Sequence, residues 1–300
     1  MSIGTRQLNW LNNMIKRVRR FSEQEIRAQL NSTLGLYRSH KKTTVFVEGI
    51  TDKEFFVNFL DDGMLINFVP LQGKENIMDF LVIYIKERKY KGCAIFIVDV
   101  DYDYICSRLK RHEDLVYSFY CSEKDKMFFN DIESYLIINY FNKVYQLLRP
   151  KSEICDVIKS IEIFSRRIGK FRAADEILNT QNTSIIDGVN LFEFVSFSDN
   201  DWNMVFNESE FRNRLEACSP RKLDIDELFS KANELDKSVD KWFLSRGHDI
   251  AKIVHEFFLR NTEKYSSKEE SDLEVIFRIS SEKVDFWETN VGKKLLSINS

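Results

Sequence analysis

Three short apolar runs alternate with two helical ones between residues 43 and 98, and this alternation constrains the chain more than any other feature. "TTVFV" is β-branched and aromatic and reads as a buried strand. "DKEFFVNFLDDG" has helical spacing and reaches Gly63, which suits a left-handed stop. "MLINFVPL" is a second strand. "ENIMDFLVIYIKERKYKG" is an amphipathic helix with its basic residues late, where the helix dipole favours them, and Gly92 closes it. "CAIFIVDV" is the third strand. Strand, helix, strand, helix, strand at this spacing requires crossover connections, so the expected class is α/β, a parallel sheet flanked by helices.

Further on, "LVYSFYC" reads as another strand and "NDIESYLIINYFNKVYQLL" as a helix started at Asn130 or Asp131. Beyond Pro150 the spacing is helical over 151–179, 208–218, 224–236, 249–260 and 271–297, with "NLFEFVSF" the one expected strand. Upstream, Leu8, Leu11, Ile15 and Val18 mark one face of a helix, and Ser22 with Glu25 makes the capping box of a second. Three segments follow: a basic helical arm over 1–42, an α/β domain over 43–150, and a mostly helical region over 151–300 suited to dimerisation or partner docking.

The arm is basic in a literal sense. Residues 1–43 hold nine Lys/Arg and two Glu, which leaves 35 basic against 45 acidic residues elsewhere. Such an arm can contact nucleic acid, an acidic partner or the acidic body itself, and "IKRVRRF" also fits an ordinary solvated helix face. The 25 Phe point to helix packing rather than a cofactor. Five Cys without a Cys-x-x-Cys pair suggest neither a disulfide framework nor a zinc ribbon, and fit a reducing, cytoplasmic setting. No apolar run reaches the roughly 18 residues of a membrane span, and the first residues lack a signal-peptide pattern, so no membrane association is expected.

Functional groups in a parallel sheet gather beyond the carboxyl ends of the strands. Two expected strands end there in acids: "VFVEGITD" places Glu48 at a strand end and Asp52 at the next helix start, and "IVDVDYD" places Asp99, Asp101 and Asp103. Glu133 opens the helix of "NDIESYL". Clustered carboxylates repel one another unless a cation offsets the charge. Hard oxygen ligands without His or Cys nearby point to Mg²⁺ or Mn²⁺. The plainer reading is that some of these acids cap helices, as Asp52 and Asp131 are placed to do, or face solvent.

"VEGITD" followed by "IVDVDYD" resembles the TOPRIM fold. "LQGKENI" and "NDIESYL" resemble the TOPRIM-like domain of OLD-type nucleases and, more closely, the AriB-type nuclease effectors of the PARIS phage-defence system; "SRGHDI" resembles a later segment of that group. The likeness covers residues 43–150 and extends loosely beyond. It implies Glu48 as metal ligand or general base, Asp99 and Asp101 as the principal ligands, and Asp52, Asp103 and Glu133 as supporting ones. Lys74 would hold a phosphate, and Arg246 and His248 would reach the scissile phosphate or protonate the leaving group. The resemblance further implies a toxic metal-dependent endonuclease acting on host tRNA, homodimeric when active, and restrained by an ABC-type ATPase subunit of the AriA kind. No Walker loop is present, so nucleotide sensing would belong to that other subunit.

Alternatives remain open. A DNA nuclease of OLD type carries the same acids. A haloacid-dehalogenase-type phosphatase places its Asp-x-Asp on the first strand, whereas here it follows the third. A non-catalytic helical adaptor with a structural acidic cluster needs no metal at all.

Overall fold

The structure is a computed structural model that describes residues 19–118, 129–150, 157–179, 183–198, 203–240, 242–262, 265 and 269–298. The helix expected at Leu8 to Val18 lies outside the described residues. The chain is α/β, with a four-stranded parallel sheet flanked by helices and a helical C-terminal region. Compactness groups the residues into two units that cut across the three expected segments. The first contains the residues up to Val98, His112–Val116 and the stretch from Lys294; the second contains Asp99–Arg111 and Tyr117–Lys293.

The first unit opens with helix α1 (Glu23–His40), started by the expected capping box: Ser22 Oγ accepts from the Glu25 N–H while Glu25 Oε2 accepts from the Ser22 N–H at 2.8 Å. β1 (Thr43–Val47), α2 (Ile50–Val57), β2 (Ile66–Pro70), α3 (Lys74–Lys86), β3 (Ala94–Val98) and β4 (Leu115–Tyr117) follow. The sheet order is β2-β1-β3-β4, so β1 lies between β2 and β3 and runs parallel to both. A strand covered on both faces has no solvent side, which is why TTVFV and AIFIV show no alternation and all ten residues are buried. Phe46 stacks on Phe96 at 5.3 Å and meets Phe80 of α3 at the same distance, joining strand and helix in one aromatic core.

Several boundaries differ from expectation. α3 ends at Lys86, short of Gly92, with a separate 3₁₀ turn over Arg88–Tyr90. α2 stops at Val57 rather than continuing to Gly63, because the Phe59 and Leu60 N–H groups bond three residues back and tighten the last turn. Gly63 still takes the left-handed conformation, φ 95°, in the turn before β2. The strand expected over "LVYSFYC" covers Leu115–Tyr117; residues 119–121 lie outside the described set.

The second unit contains α4 (Ile132–Leu148), α5 (Val157–Leu178), β5 (Val195–Phe197), β6 (Met204–Phe206), α6 (Glu208–Cys218), α7 (Ile225–Ser238), α8 (Gly247–Asn261), α9 (Glu270–Ser280) and α10 (Lys283–Glu288); α11 (Asn290–Leu296) begins in it and ends among the residues of the first. β5 has an antiparallel partner, β6, that the spacing alone did not reveal, since three residues are too short a run to show a period. α5 packs on α7 and α8, and α4 on α8 and α9. Among the described residues no helix is long and apolar enough to cross a membrane.

Candidate active site

In the first unit the strand ends fix the candidate residues through the backbone. Glu48 follows β1 directly and is half-buried; its carbonyl accepts from the Gly73 N–H at 2.9 Å. That bond ties the end of β1 to the turn that starts α3. The turn needs glycine, because Gly73 sits at φ 117°, beside Gln72 at φ 61°. Fully buried Asn76 braces it, donating to the carbonyls of Leu71 at 2.7 Å and Arg19 at 3.0 Å. Lys74 is the first residue of α3, where an ammonium opposes the helix dipole and an anion would favour both groups. Asp52 serves its own helix: Oδ2 accepts from the Gly49 N–H at 2.8 Å across the start of α2. The basic arm meets the acidic body here, because Arg20 pairs with Glu75 and, at 3.1 Å, with Asp79 on α3.

In the second unit side chains fix the geometry. Asp99 and Asp101 are half-buried on either side of buried Val100. Asp101 takes a left-handed conformation, φ 49°, which Asp tolerates better than most residues, and its N–H donates to the Asn130 carbonyl at 2.9 Å. Asp103 pairs with Arg108 at 3.2 Å, and Arg108 reaches on to Glu176 at 2.5 Å. Asp131 caps α4: Oδ1 accepts from the Ser134 N–H at 2.8 Å and hydroxyl at 2.6 Å. Its Oδ2 accepts from the Gly247 N–H at 2.7 Å. Burial pushes the Asp131 carboxyl above its ordinary range; these donors work against that shift and the nearby Asp101 charge adds to it.

The segment "SRGHDI" joins this network at the start of α8. A methyl group on Gly247 would stand 2.2 Å from Asp131 Oδ1 and 2.6 Å from Glu133 Cβ, so only glycine fits. Asp249, 2% exposed, accepts a forked pair from Arg172 of α5 at 2.9 and 3.1 Å. Desolvation opposes the Arg246 charge, but the charges of Asp101, Asp249 and Asp131 outweigh it and hold the guanidinium protonated more firmly than usual. Glu133 pairs with Arg278 of α9 at 3.0 Å. His248 has a 62% exposed side chain 4.0 Å from Glu274 of α9.

The expected residues therefore fall into two groups. Asp101 and Arg246 belong with Asp131 and Asp249 in one charged cluster of the second unit. Asp103, Glu133 and Asp52 each bond a protein group, while His248 has its acidic neighbour on α9. Asn130, Arg172, Gly247 and Asp249 are not among the site residues expected from the sequence, yet they hold the cluster together. The signal available was a glycine two residues before an acid at a helix start, which marks a close approach.

Among the described residues no three His, Cys, Asp or Glu side chains stand grouped as a metal site. The donor set thus makes no all-protein cage. It remains compatible with Mg²⁺, which is commonly held by one or two carboxylates with waters and substrate phosphates. No known protein family matches the chain, and no curated protein matches it.

Proposed function

We propose that the chain is a metal-dependent nuclease of TOPRIM type, a toxic effector that cleaves host tRNA once an ABC-type ATPase subunit releases it. One observation carries the reading. Neighbouring parallel strands β1 and β3 run directly into Glu48 and Asp99 at their carboxyl ends, the edge where such sheets collect ligands. Two rigid, fully buried strands are suitable posts for groups that must be held within a fraction of an ångström. A bound Mg²⁺ or Mn²⁺ supplies a water of lowered pKa and charge for the phosphoryl oxygens. On this reading Glu48 would orient and deprotonate the attacking water, Asp99 and Asp101 would be the remaining acidic ligands, Lys74 would draw a flanking phosphate to the start of α3, and Arg246 would offset the charge of its neighbouring acids.

A second reading has its own support: Glu133–Arg278, Asp103–Arg108 and Asp249–Arg172 are ion pairs, the arrangement of a structural acidic cluster in a non-catalytic scaffold. Coexpression with the ATPase subunit and a phage trigger separates the two. Wild type yields newly cut RNA ends on sequencing and Glu48→Ala yields none; equal cleavage by both removes Glu48 from the reaction, and intact RNA with a broken chromosome makes the enzyme a DNase. A scaffold cuts neither and gains no melting temperature from Mg²⁺.

A further inference from the structure

Both peptide groups that flank Arg246 are held by consecutive residues at the start of α4. Asn130 Nδ2 donates to the Ser245 carbonyl at 3.0 Å, and Asp131 Oδ2 accepts from the Gly247 N–H at 2.7 Å. The Asn130 carbonyl meanwhile accepts from the Asp101 N–H at 2.9 Å. We propose that Asn130 is a positioning residue that sets Arg246 against Asp101; the inference rests on the nuclease reading and adds to it the residue that orients its cation.

Asn130 is 2% exposed, and its amine also donates to the Phe243 carbonyl at 2.9 Å, with that of Trp242 3.4 Å away. Three carbonyls facing one group call for a donor. The amide is therefore turned with Oδ1 away from them, buried and without a hydrogen-bond partner among the described residues. An acceptor left so costs stability, and fold stability alone does not account for an amide here. Trp242 has φ 72° and Asp101 φ 49°. A bulky residue is rarely left-handed, and the conformation persists where its surroundings over-determine it. Asn130 contributes a bond at both places. Between them the turn is seated on α5: Ser245 Oγ meets Ser165 Oγ at 2.6 Å, and the Leu244 carbonyl lies so close to Gly169 that no Cβ fits there. Those contacts fix the shape of the turn. The Asn130 side chain relates that turn to Asp101.

The test is tRNA cleavage in Mg²⁺ by the full-length chain as wild type, Asn130→Ala, Arg246→Ala and the double variant. Thr262→Val is the control, since it also removes a buried donor to a carbonyl, that of Leu148 at 2.9 Å. Asn130→Ala is expected to lower kcat by about a hundredfold, the cost of a misplaced group, and to leave KM within about threefold. In the Arg246→Ala background the same substitution should cost about threefold or less, because its effect runs through a side chain already gone. Thr262→Val keeps the wild-type kcat. Asn130→Ser, which retains one shorter donor, is measured beside Asn130→Ala and carries the same cycle, with a smaller loss, should the alanine variant not fold. Wild-type kcat in both Asn130 variants, a loss that repeats in full on Arg246→Ala, or an equal loss in Thr262→Val overturns the proposal. A wild type that cuts no RNA refutes the nuclease reading, and the clamp is then read by hydrogen exchange. Exchange of the Ser245 and Gly247 amides about tenfold faster in the Asn130 variants upholds it, and unchanged exchange overturns it.

Discussion

The two units place acidic residues by opposite means. In the first, Glu48 is set by strand pairing and by the backbone bond from Gly73, and Asp52 by its own helix start. In the second, the Asp101 neighbourhood depends on partners far along the chain: Asp131 with Gly247, Asp249 with Arg172 and Glu133 with Arg278. The first kind of site survives loss of a side chain because the post remains. The second is a network in which each charge is tolerable only because its partner is present, so removing one member is expected to disturb the fold as well as any chemistry.

That contrast can be broken first at Arg172. Arg172→Ala strands a buried carboxylate at Asp249 and is expected to cost about 3–5 kcal/mol in urea unfolding. Arg172→Met with Asp249→Leu should recover much of it, because an apolar pair needs no compensation; a single variant as stable as wild type would mean the pair carries no structural role. Next is Gly247→Ala, whose methyl collides with Asp131 and is expected to cost about 2–3 kcal/mol. Gly49→Ala in the first unit meets only ordinary contacts at φ −126°, and should lose no more than about 1 kcal/mol, as a poorer helix cap. Equal losses at the two glycines would erase the distinction.

Smaller still is the pH effect of Asp131. Its carboxyl is raised above 3.8 by burial, so the folded chain binds that proton more tightly than the unfolded one. The stability this group contributes is therefore full below pH 3.8 and is lost as pH rises through the folded value. Unfolding free energies of wild type and Asp131→Asn measured from pH 4 upward should converge or cross, with a slope difference of at most about 1.4 kcal/mol per pH unit. Parallel curves would show that the group titrates normally.

The same contrast explains what was legible in the sequence. β1, β3, the Ser22 capping box and the acids at both strand ends follow from local period and cap chemistry, and the structure has them where the residues say. The partners of Asp131 and Asp249 do not follow: they are 116 and 77 residues away, and no local pattern marks Arg172 among many arginines. His248 is among the residues expected at the site and Asp249 is not; both lie on the first turn of α8, and packing shows that Asp249 turns inward and His248 toward solvent.

The central claim is that acids at the ends of β1 and β3 perform phosphodiester chemistry. The most direct measurement is the initial rate of tRNA cleavage by purified wild type, Glu48→Gln and Asp99→Asn, each with Mg²⁺ and with chelator. The account predicts metal-dependent cleavage by wild type and a loss of about a hundredfold or more in both variants at unchanged melting temperature. Cleavage by Glu48→Gln at the wild-type rate, or cleavage that persists in chelator, would contradict it.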